Sequence, residues 1–147
     1  MPDMTRPIKF RAKHINGHWV YGYYIQYPNE FTGFLKPCIA ESNYNTELER
    51  GETVVHCIEE STLGQFTGLH DKNGKEIYEG DIVRWTHQYY CGEFIEKVEQ
   101  QKINGVIVWA DQVGKFMMKD TDNNHWDFKQ IQTDRCLDII GNIHEQL

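Results

Sequence analysis

Short strand-like runs separated by turn residues recur along this chain and constrain its fold more than any other feature. In the first run apolar and basic residues alternate without a break: Ile8-Lys9-Phe10-Arg11-Ala12-Lys13. A period of two is typical of a strand, so we expect the apolar residues to point inward and the basic residues outward. Asn16-Gly17 follows, and both residues tolerate the positive φ of a hairpin turn. The aromatic-rich residues 18–27 then complete a predicted hairpin.

The second half of the chain predicts further strands. The candidates are Ile82–Trp85, Phe94–Val98, Gly105–Trp109, Phe116–Lys119, His125–Ile131 and Leu137–Ile143. Strands of this length and spacing favour a small barrel or sandwich. We expect its core at Ile82, Val106, Val108, Phe116, Ile139 and Ile143. Gly74 and Gly80, at turns, should adopt conformations that other residues resist. Before these strands, residues 61–66 are compatible with a brief helical turn.

The composition fits a globular protein of one domain or two small lobes. The chain has 147 residues, of which 39% are hydrophobic and 25% charged, and this length suffices for a core without covalent staples. The net charge is −7. An acidic surface opposes binding to a phosphate backbone, which gains its free energy when Lys and Arg release counterions. Non-specific duplex binding is therefore disfavoured, although a local basic patch can act alone at physiological salt.

The cysteines and the hydropathy point to a reducing cytoplasm. Cys38, Cys57, Cys91 and Cys136 are widely spaced and form no Cys-x-x-Cys pair, which argues against a zinc knuckle or a thioredoxin-type motif. No run approaches the roughly 20 apolar residues of a membrane span, and the first residues lack the apolar core of a signal peptide. We therefore expect a cytoplasmic protein with free thiols and no membrane partner.

A long segment in the middle of the chain carries a family likeness. Residues 66–83, Phe66-Thr67-Gly68-Leu69-His70-Asp71-Lys72-Asn73-Gly74-Lys75-Glu76-Ile77-Tyr78-Glu79-Gly80-Asp81-Ile82-Val83, resemble the signature of the YopX family of phage and prophage proteins. Residues 8–12 and 139–145 resemble that family's two ends, in the same order. The likeness spans nearly the whole chain, while residues 28–51 and 86–102 match no pattern of the family.

The resemblance implies a fold rather than an activity. The implied fold is α+β and β-rich, with an N-terminal α+β portion at residues 1–67 that contains the hairpin and a C-terminal SH3-like β-barrel at residues 68–147. It also implies a phage or prophage protein acting in the cytoplasm of a bacterial host cell. The family supplies no catalytic residues to carry over, and a small barrel alone implies no particular task.

Two patterns resemble metal sites without completing them. Residues 120–124 start like a calcium loop, but positions six and twelve hold His125 and Ile131 instead of Gly and Glu. His14 and His18 flank the first turn, and two imidazoles alone fall short of the ligands that zinc takes. We therefore predict polar turns that bind no metal and no cofactor.

The residues also predict no catalytic set. His56 and Cys57 are neighbours in a predicted strand, so their side chains point to opposite faces. Four carboxylates lie close together in sequence, at Asp71, Glu76, Glu79 and Asp81. Such groups can perform acid–base chemistry, but Asx side chains also bond the backbone of their own turns. We favour the structural role and expect that the chain is not an enzyme.

One candidate binding face remains. Lys9, Arg11 and Lys13 share a predicted outward face, and Tyr21 and Tyr23 lie on the next strand. Basic and aromatic residues together suit single-stranded nucleic acid, whereas Tyr and Arg also dominate protein interfaces; charged outward positions also simply protect strand edges. The favoured hypothesis is a non-enzymatic adaptor that binds a host or phage protein. The alternative is a nucleic-acid-associated module that uses the basic face, and self-association stays open.

Overall fold

The fold is built almost entirely from antiparallel strands. The computed structural model describes residues 7–91, 97–131 and 133–145. Its elements are β1 (Phe10–His14), β2 (Trp19–Pro28), β3 (Leu35–Asn45), β4 (Arg50–His70), β5 (Glu76–Tyr78), β6 (Asp81–Cys91), β7 (Lys97–Ala110), β8 (Lys115–Asp120), β9 (His125–Trp126), α1 (Phe128–Ile131), α2 (Thr133–Cys136) and β10 (Leu137–Asn142). They divide into two compact units, Met1–Phe66 and Thr67–Leu147.

The strand pairings of the N-terminal unit form a cycle. β2 pairs with β1 through residues 19–22 and with β3 through residues 23–28. β4 pairs with β3 through residues 50–57 and with β1 through residues 58–65, so β1 is hydrogen-bonded on both sides. The core between the strands consists of Ala12, Val20, Ile39 and Ile58.

The first hairpin confirms the sequence prediction, and the rest of this unit corrects it. β1 and β2 are antiparallel, and Gly17 has a φ of 95° in their turn. No helix is found within residues 7–66, so the expected α+β character of the N-terminal portion is not confirmed for that range. Residues 61–66 belong to β4, because pairing with β1 holds them extended where a helical turn was expected.

The C-terminal unit contains one open antiparallel sheet. Its strand order is β10-β6-β7-β8-β9, and the pairings among the described residues do not join β9 to β10. A closed barrel is therefore not formed by these pairings. One face of the sheet, together with α1, buries an apolar cluster that lies around Trp85, whose ring is 5.1 Å from that of Trp126. The cluster consists of Ile77, Val83, Trp85, Ile107, Met118, Ile131 and Leu137.

The expected core is correct in part: Phe116 and Ile139 lie on the core face of this sheet, and Ile139 packs against the apolar cluster, whereas Ile82, Val106 and Val108 lie on the opposite face. Ile82 pairs with Val106 on one face, whereas the buried Val83 and Ile107 lie on the other. Because side chains alternate between faces, an error of one residue exchanges the inner and outer sets. Of the six predicted core residues, Phe116 is the one that is buried, at 6% exposure.

Two segments of the C-terminal unit differ from their predictions in extent. The expected strand His125–Ile131 is only two residues of β9 followed by α1, since the Asp127 carboxylate accepts the backbone N–H of Lys129 and begins the helix. Of the expected strand Phe94–Val98, residues 94–96 lie outside the described residues. Neither short helix in the described part of the chain is long and apolar enough to span a membrane.

Candidate functional site

One side of β2 displays a row of aromatic side chains, which we call the aromatic face: Trp19, Tyr21, Tyr23 and Tyr27. Tyr21 is 46% exposed, Tyr23 60% and Tyr27 45%. The alternating residue Val20 points to the core instead. Side chains at alternate positions of a strand share one face, and contiguous exposed apolar patches mark interaction sites.

The predicted basic residues lie beside the aromatic face, because β1 pairs with β2. Arg11 is opposite Tyr21, and Lys13 is opposite Trp19. The Arg11 guanidinium lies 4.8 Å from the centre of the Trp19 ring, and the Lys13 ammonium lies 5.7 Å from it. The structure therefore brings the sequence-predicted cations and aromatics together.

The cations alternate with the core residues Phe10 and Ala12, as expected, but they are less exposed than the sequence predicts. Arg11 is only 7% exposed, while Lys9 and Lys13 are half-buried. β1 has neighbours on both edges, so its long side chains lie along adjacent rings instead of extending into water. The Lys9 ammonium lies 5.1 Å from the centre of the Phe66 ring.

A groove opens at the point where β2 changes its partner. Gly22 is the last β2 residue paired with β1, and Tyr23 is the first paired with β3. Residues 7–9 therefore separate from residues 41–43 of β3, which pair with β4. Tyr21 and Tyr23 line the resulting groove of about 600 Å³ together with residues 7–9 and 41–43.

Gly22 makes this change of partner possible. A Cβ atom on Gly22 would lie 2.2 Å from the carbonyl oxygen of Ala40, so any side chain would collide with the backbone of β3. Sequence reasoning missed Gly22 and the groove walls. A glycine inside a strand does signal close backbone approach, but it does not identify which strand approaches.

Three histidines gather near the other end of β1. The rings of His14 and His18 stack with centres 4.6 Å apart, and the His56 ring is 5.9 Å from that of His14. The Nε2 atom of His56 lies 3.1 Å from a Glu41 carboxylate oxygen. Burial, reinforced by the neighbouring His18 and His56, lowers the pKa of His14. Among the described residues, no group of three or more His, Cys, Asp or Glu side chains is arranged to hold a metal ion.

Comparison with models of known protein families shows to which family the chain belongs. The family model described as YopX protein matches residues 9–146. The chain belongs to the YopX family.

Comparison with solved structures gives a neighbour for this YopX fold. The crystal structure of protein EF1440 from Enterococcus faecalis aligns with a TM-score of 0.50 and 21% identity, covering 95% of each chain. At that identity the likeness concerns the fold alone. Comparison with curated protein sequences gives no significant match.

In this YopX chain the family-like segment forms turns. The Asp71 carboxylate accepts the backbone N–H groups of Asn73, Lys75 and Ile139. Burial alone would raise the pKa of Asp71, but these three donors outweigh it and lower the pKa. Asp81 accepts the backbone N–H of Tyr78. The structural interpretation of Asp71 and Asp81 is therefore confirmed.

The remaining two carboxylates of that segment are placed differently. Glu76 accepts a 2.8 Å hydrogen bond from the hydroxyl of Tyr78. Burial raises the pKa of Glu79, with a smaller contribution from Asp111. The carboxylates of Asp71 and Asp81 thus accept hydrogen bonds from backbone N–H groups, and that of Glu76 accepts one from the Tyr78 hydroxyl.

The segment that starts like a calcium loop is a hairpin turn organised by its first residue. One oxygen of Asp120 accepts the backbone N–H groups of Asp122 and Asn124, and the other accepts the indole N–H of Trp126 at 2.9 Å. The indole donor and the turn amides together lower the pKa of Asp120 despite burial. The polar-turn prediction is confirmed.

Proposed function

We propose that this YopX protein is a non-enzymatic binding module of phage or prophage origin, acting in the host cytoplasm, that docks a host or phage protein on its aromatic face. The observation that supports this most is the pair Tyr21 and Tyr23, which are 46% and 60% exposed and line the groove beside Gly22. Aromatic side chains offer large contact areas at low entropic cost, and such residues dominate the binding energy of protein interfaces.

The mode of binding follows from the groove walls. Residues 41–43 of β3 pair with β4 on one side, and on the other they face the groove. An extended segment of the partner can lie along this edge and add main-chain hydrogen bonds, as in strand addition. Tyr21 and Tyr23 would then contact alternate side chains of that segment, which provides the specificity.

The charge distribution favours a protein over nucleic acid. The chain carries −7 overall, and the groove is lined by one cation, Lys9, and one anion, Glu41. Phosphate binding requires several cations whose counterions are released. Arg11 is buried, so the basic row is weaker than the sequence predicted.

Affinity capture from the native host tests the proposal. The tagged chain is compared with the double variant Tyr21→Ala/Tyr23→Ala, with and without nuclease. The matched control is Phe31→Ala, which removes an aromatic ring that is 96% exposed on the β2–β3 connection. We expect a protein that is recovered regardless of nuclease by the native chain and by the control, and lost by the tyrosine variant. Equal recovery by all three would refute the role of the aromatic face.

The nucleic-acid alternative has one observation in its favour, because cations and aromatic rings do share one face. Its test is retardation of labelled single-stranded and duplex DNA at low and moderate salt. Lys9→Glu/Lys13→Glu is the informative variant, since it leaves the buried Arg11 in place. Retardation at low salt that this variant abolishes would support the alternative, and no retardation would end it.

For the C-terminal unit we propose that the SH3-like description applies to a bent sheet that is not closed by hydrogen bonds. The five-stranded antiparallel order and the apolar cluster on one face of the sheet support this. Curved small sheets of this kind host many unrelated tasks, so the binding proposal rests on the N-terminal unit alone.

A further inference from the structure

Two cysteines that are far apart in sequence lie opposite each other in the N-terminal unit. Cys38 of β3 is directly across from Cys57 of β4 in the antiparallel register. Both cysteines are free, and the Cys57 thiol interacts with that of Cys38. Cys38 is fully buried, whereas Cys57 is half-buried.

The backbone shows which kind of cross-strand pair this is. The carbonyl of Cys57 accepts the backbone N–H of Ile15. In a regular strand the N–H and C=O of one residue point to the same side, so the polar groups of Cys57 point away from β3. Cys38 and Cys57 therefore form a non-hydrogen-bonded pair, whose Cα atoms are about 4.5 Å apart and whose side chains approach most closely.

That geometry matches the requirements of a disulfide. Disulfides span Cα separations of about 4.4–6.8 Å, and Cβ atoms opposed across strands need to approach by about 1 Å or less to reach the usual Cβ separation. The β3–β4 hairpin supplies this approach without a change of register.

We propose that Cys38 and Cys57 are an oxidation site that forms a cross-strand disulfide by exchange with a low-molecular-weight disulfide such as glutathione disulfide. The Cys57 thiolate attacks one sulfur of glutathione disulfide, forms a mixed disulfide and releases the first glutathione thiolate. Cys38 then loses its proton to solvent and attacks the Cys57 sulfur, which releases the second glutathione. Two protein thiols are oxidised and one glutathione disulfide is reduced to two glutathione molecules.

The order of the two steps follows from exposure. Of the two paired thiols, Cys57 is the one open to an approaching disulfide, and the thiolate is the reactive form of cysteine. Burial raises the pKa of Cys38, and the adjacent Cys57 adds to the effect. Cys38 is therefore a poor first nucleophile and serves as the resolving thiol, which reacts because its target is held next to it.

The disulfide would hold β3 and β4 together in the hairpin whose residues 41–43 form one wall of the groove. It closes the chain from residue 38 to residue 57, and residues 41–43 lie inside that loop. A disulfide constrains the unfolded chain and the opening of the loop that it closes. This oxidation chemistry is independent of any partner, so it can be tested whether or not the aromatic face binds a protein.

The test uses the full chain as Cys91→Ser/Cys136→Ser, which keeps only the proposed pair and leaves the buried Cys38 unaltered. The folded protein is incubated with glutathione disulfide, its remaining thiols are alkylated, and the proteolytic peptides are mapped by mass. We expect a product lighter by two hydrogen atoms, a linked peptide that joins Cys38 to Cys57, and a melting temperature raised by several degrees.

Three outcomes would overturn the proposal. They are thiols that stay unmodified in the folded protein, a glutathione adduct on Cys57 that persists without closing, and a linked form that melts below the reduced form. Cys57→Ser in the same background is the matched control, and it should leave Cys38 unreacted because that thiol is buried. Rapid modification of Cys38 in this control would contradict the assigned order of steps.

Discussion

The substitution Gly22→Ala tests how the groove is formed. The added Cβ would lie 2.2 Å from the Ala40 carbonyl oxygen, 2.9 Å from its carbon and 3.2 Å from the Ile39 Cγ2 atom. Two of these atoms are backbone, so the collision cannot be relieved by a rotamer change. β2 and β3 have to move apart at the position where β2 changes its partner.

The expected magnitude follows from two opposing terms. Inserting a methyl group into a closely packed site costs about 1–3 kcal/mol, and a collision with backbone places Gly22→Ala near the upper value. Replacing glycine restricts the unfolded chain, which by itself raises the free energy of unfolding by about 0.4–1 kcal/mol. We therefore expect a net loss of about 2 kcal/mol in the free energy of unfolding, which lowers the melting temperature by about 4–8 °C in a chain of this length.

Thermal and urea denaturation followed by circular dichroism measure this change. Gly51→Ala is the matched control, because Gly51 is also a strand residue of this unit and a Cβ there meets nothing within 4 Å. The control should change the free energy of unfolding by less than about 0.5 kcal/mol. Equal midpoints for Gly22→Ala and Gly51→Ala would refute the close approach of β3 to Gly22.

Two further predictions concern a turn and the pH dependence of stability. Gly74 has a φ of 78°, so Gly74→Val should lose about 1–2 kcal/mol or more relative to Gly51→Val; similar urea midpoints would contradict the turn assignment. The pKa of His14 is lowered from 6.5, so the folded state resists its protonation. The corresponding stability is fully present above the unfolded pKa and is lost as the pH falls through the folded pKa. The urea midpoint should fall as the pH drops below the unfolded pKa of His14, and the fall should be smaller in His14→Gln; an identical pH profile for that variant would count against the histidine cluster.

Local signals were sufficient for the parts of the fold that depend on neighbours in sequence. The alternation of residues 8–13 and the Asn16-Gly17 turn both act within one hairpin, and the structure contains that hairpin. The turn roles of Asp71 and Asp120 were likewise readable, because an Asx side chain bonds backbone only a few residues away.

Apolar runs in the second half were ambiguous for a different reason. In β6 both Ile82 and Val83 are apolar, so alternation alone allows either face to be the core. The polar Arg84 between Val83 and Trp85 indicates the correct phase, because its neighbours on either side are the buried residues. For β6 the alternation of side chains was therefore predicted correctly, but Ile82 was assigned to the core face in place of Val83.

The site itself depends on pairings that no local pattern contains. Arg11 is buried because β1 has partners on both edges, and nothing in residues 8–13 indicates the second partner. The groove arises because β2 exchanges β1 for β3 at Gly22. Cys38 and Cys57 meet only through the β3–β4 register. The sequence thus identified Tyr21 and Tyr23 as binding candidates but not the groove that they line.

Tyr21 and Tyr23 are central to the proposed binding of a protein partner. Its most direct measurement is the dissociation constant of the captured partner for the native chain, for Tyr21→Ala/Tyr23→Ala and for Phe31→Ala, at moderate salt after nuclease treatment. Removing two central aromatic side chains should cost at least about 2 kcal/mol and weaken binding about 30-fold or more, while Phe31→Ala should change it less than about threefold. A tyrosine variant that binds as tightly as the native chain while keeping its melting temperature would contradict the account.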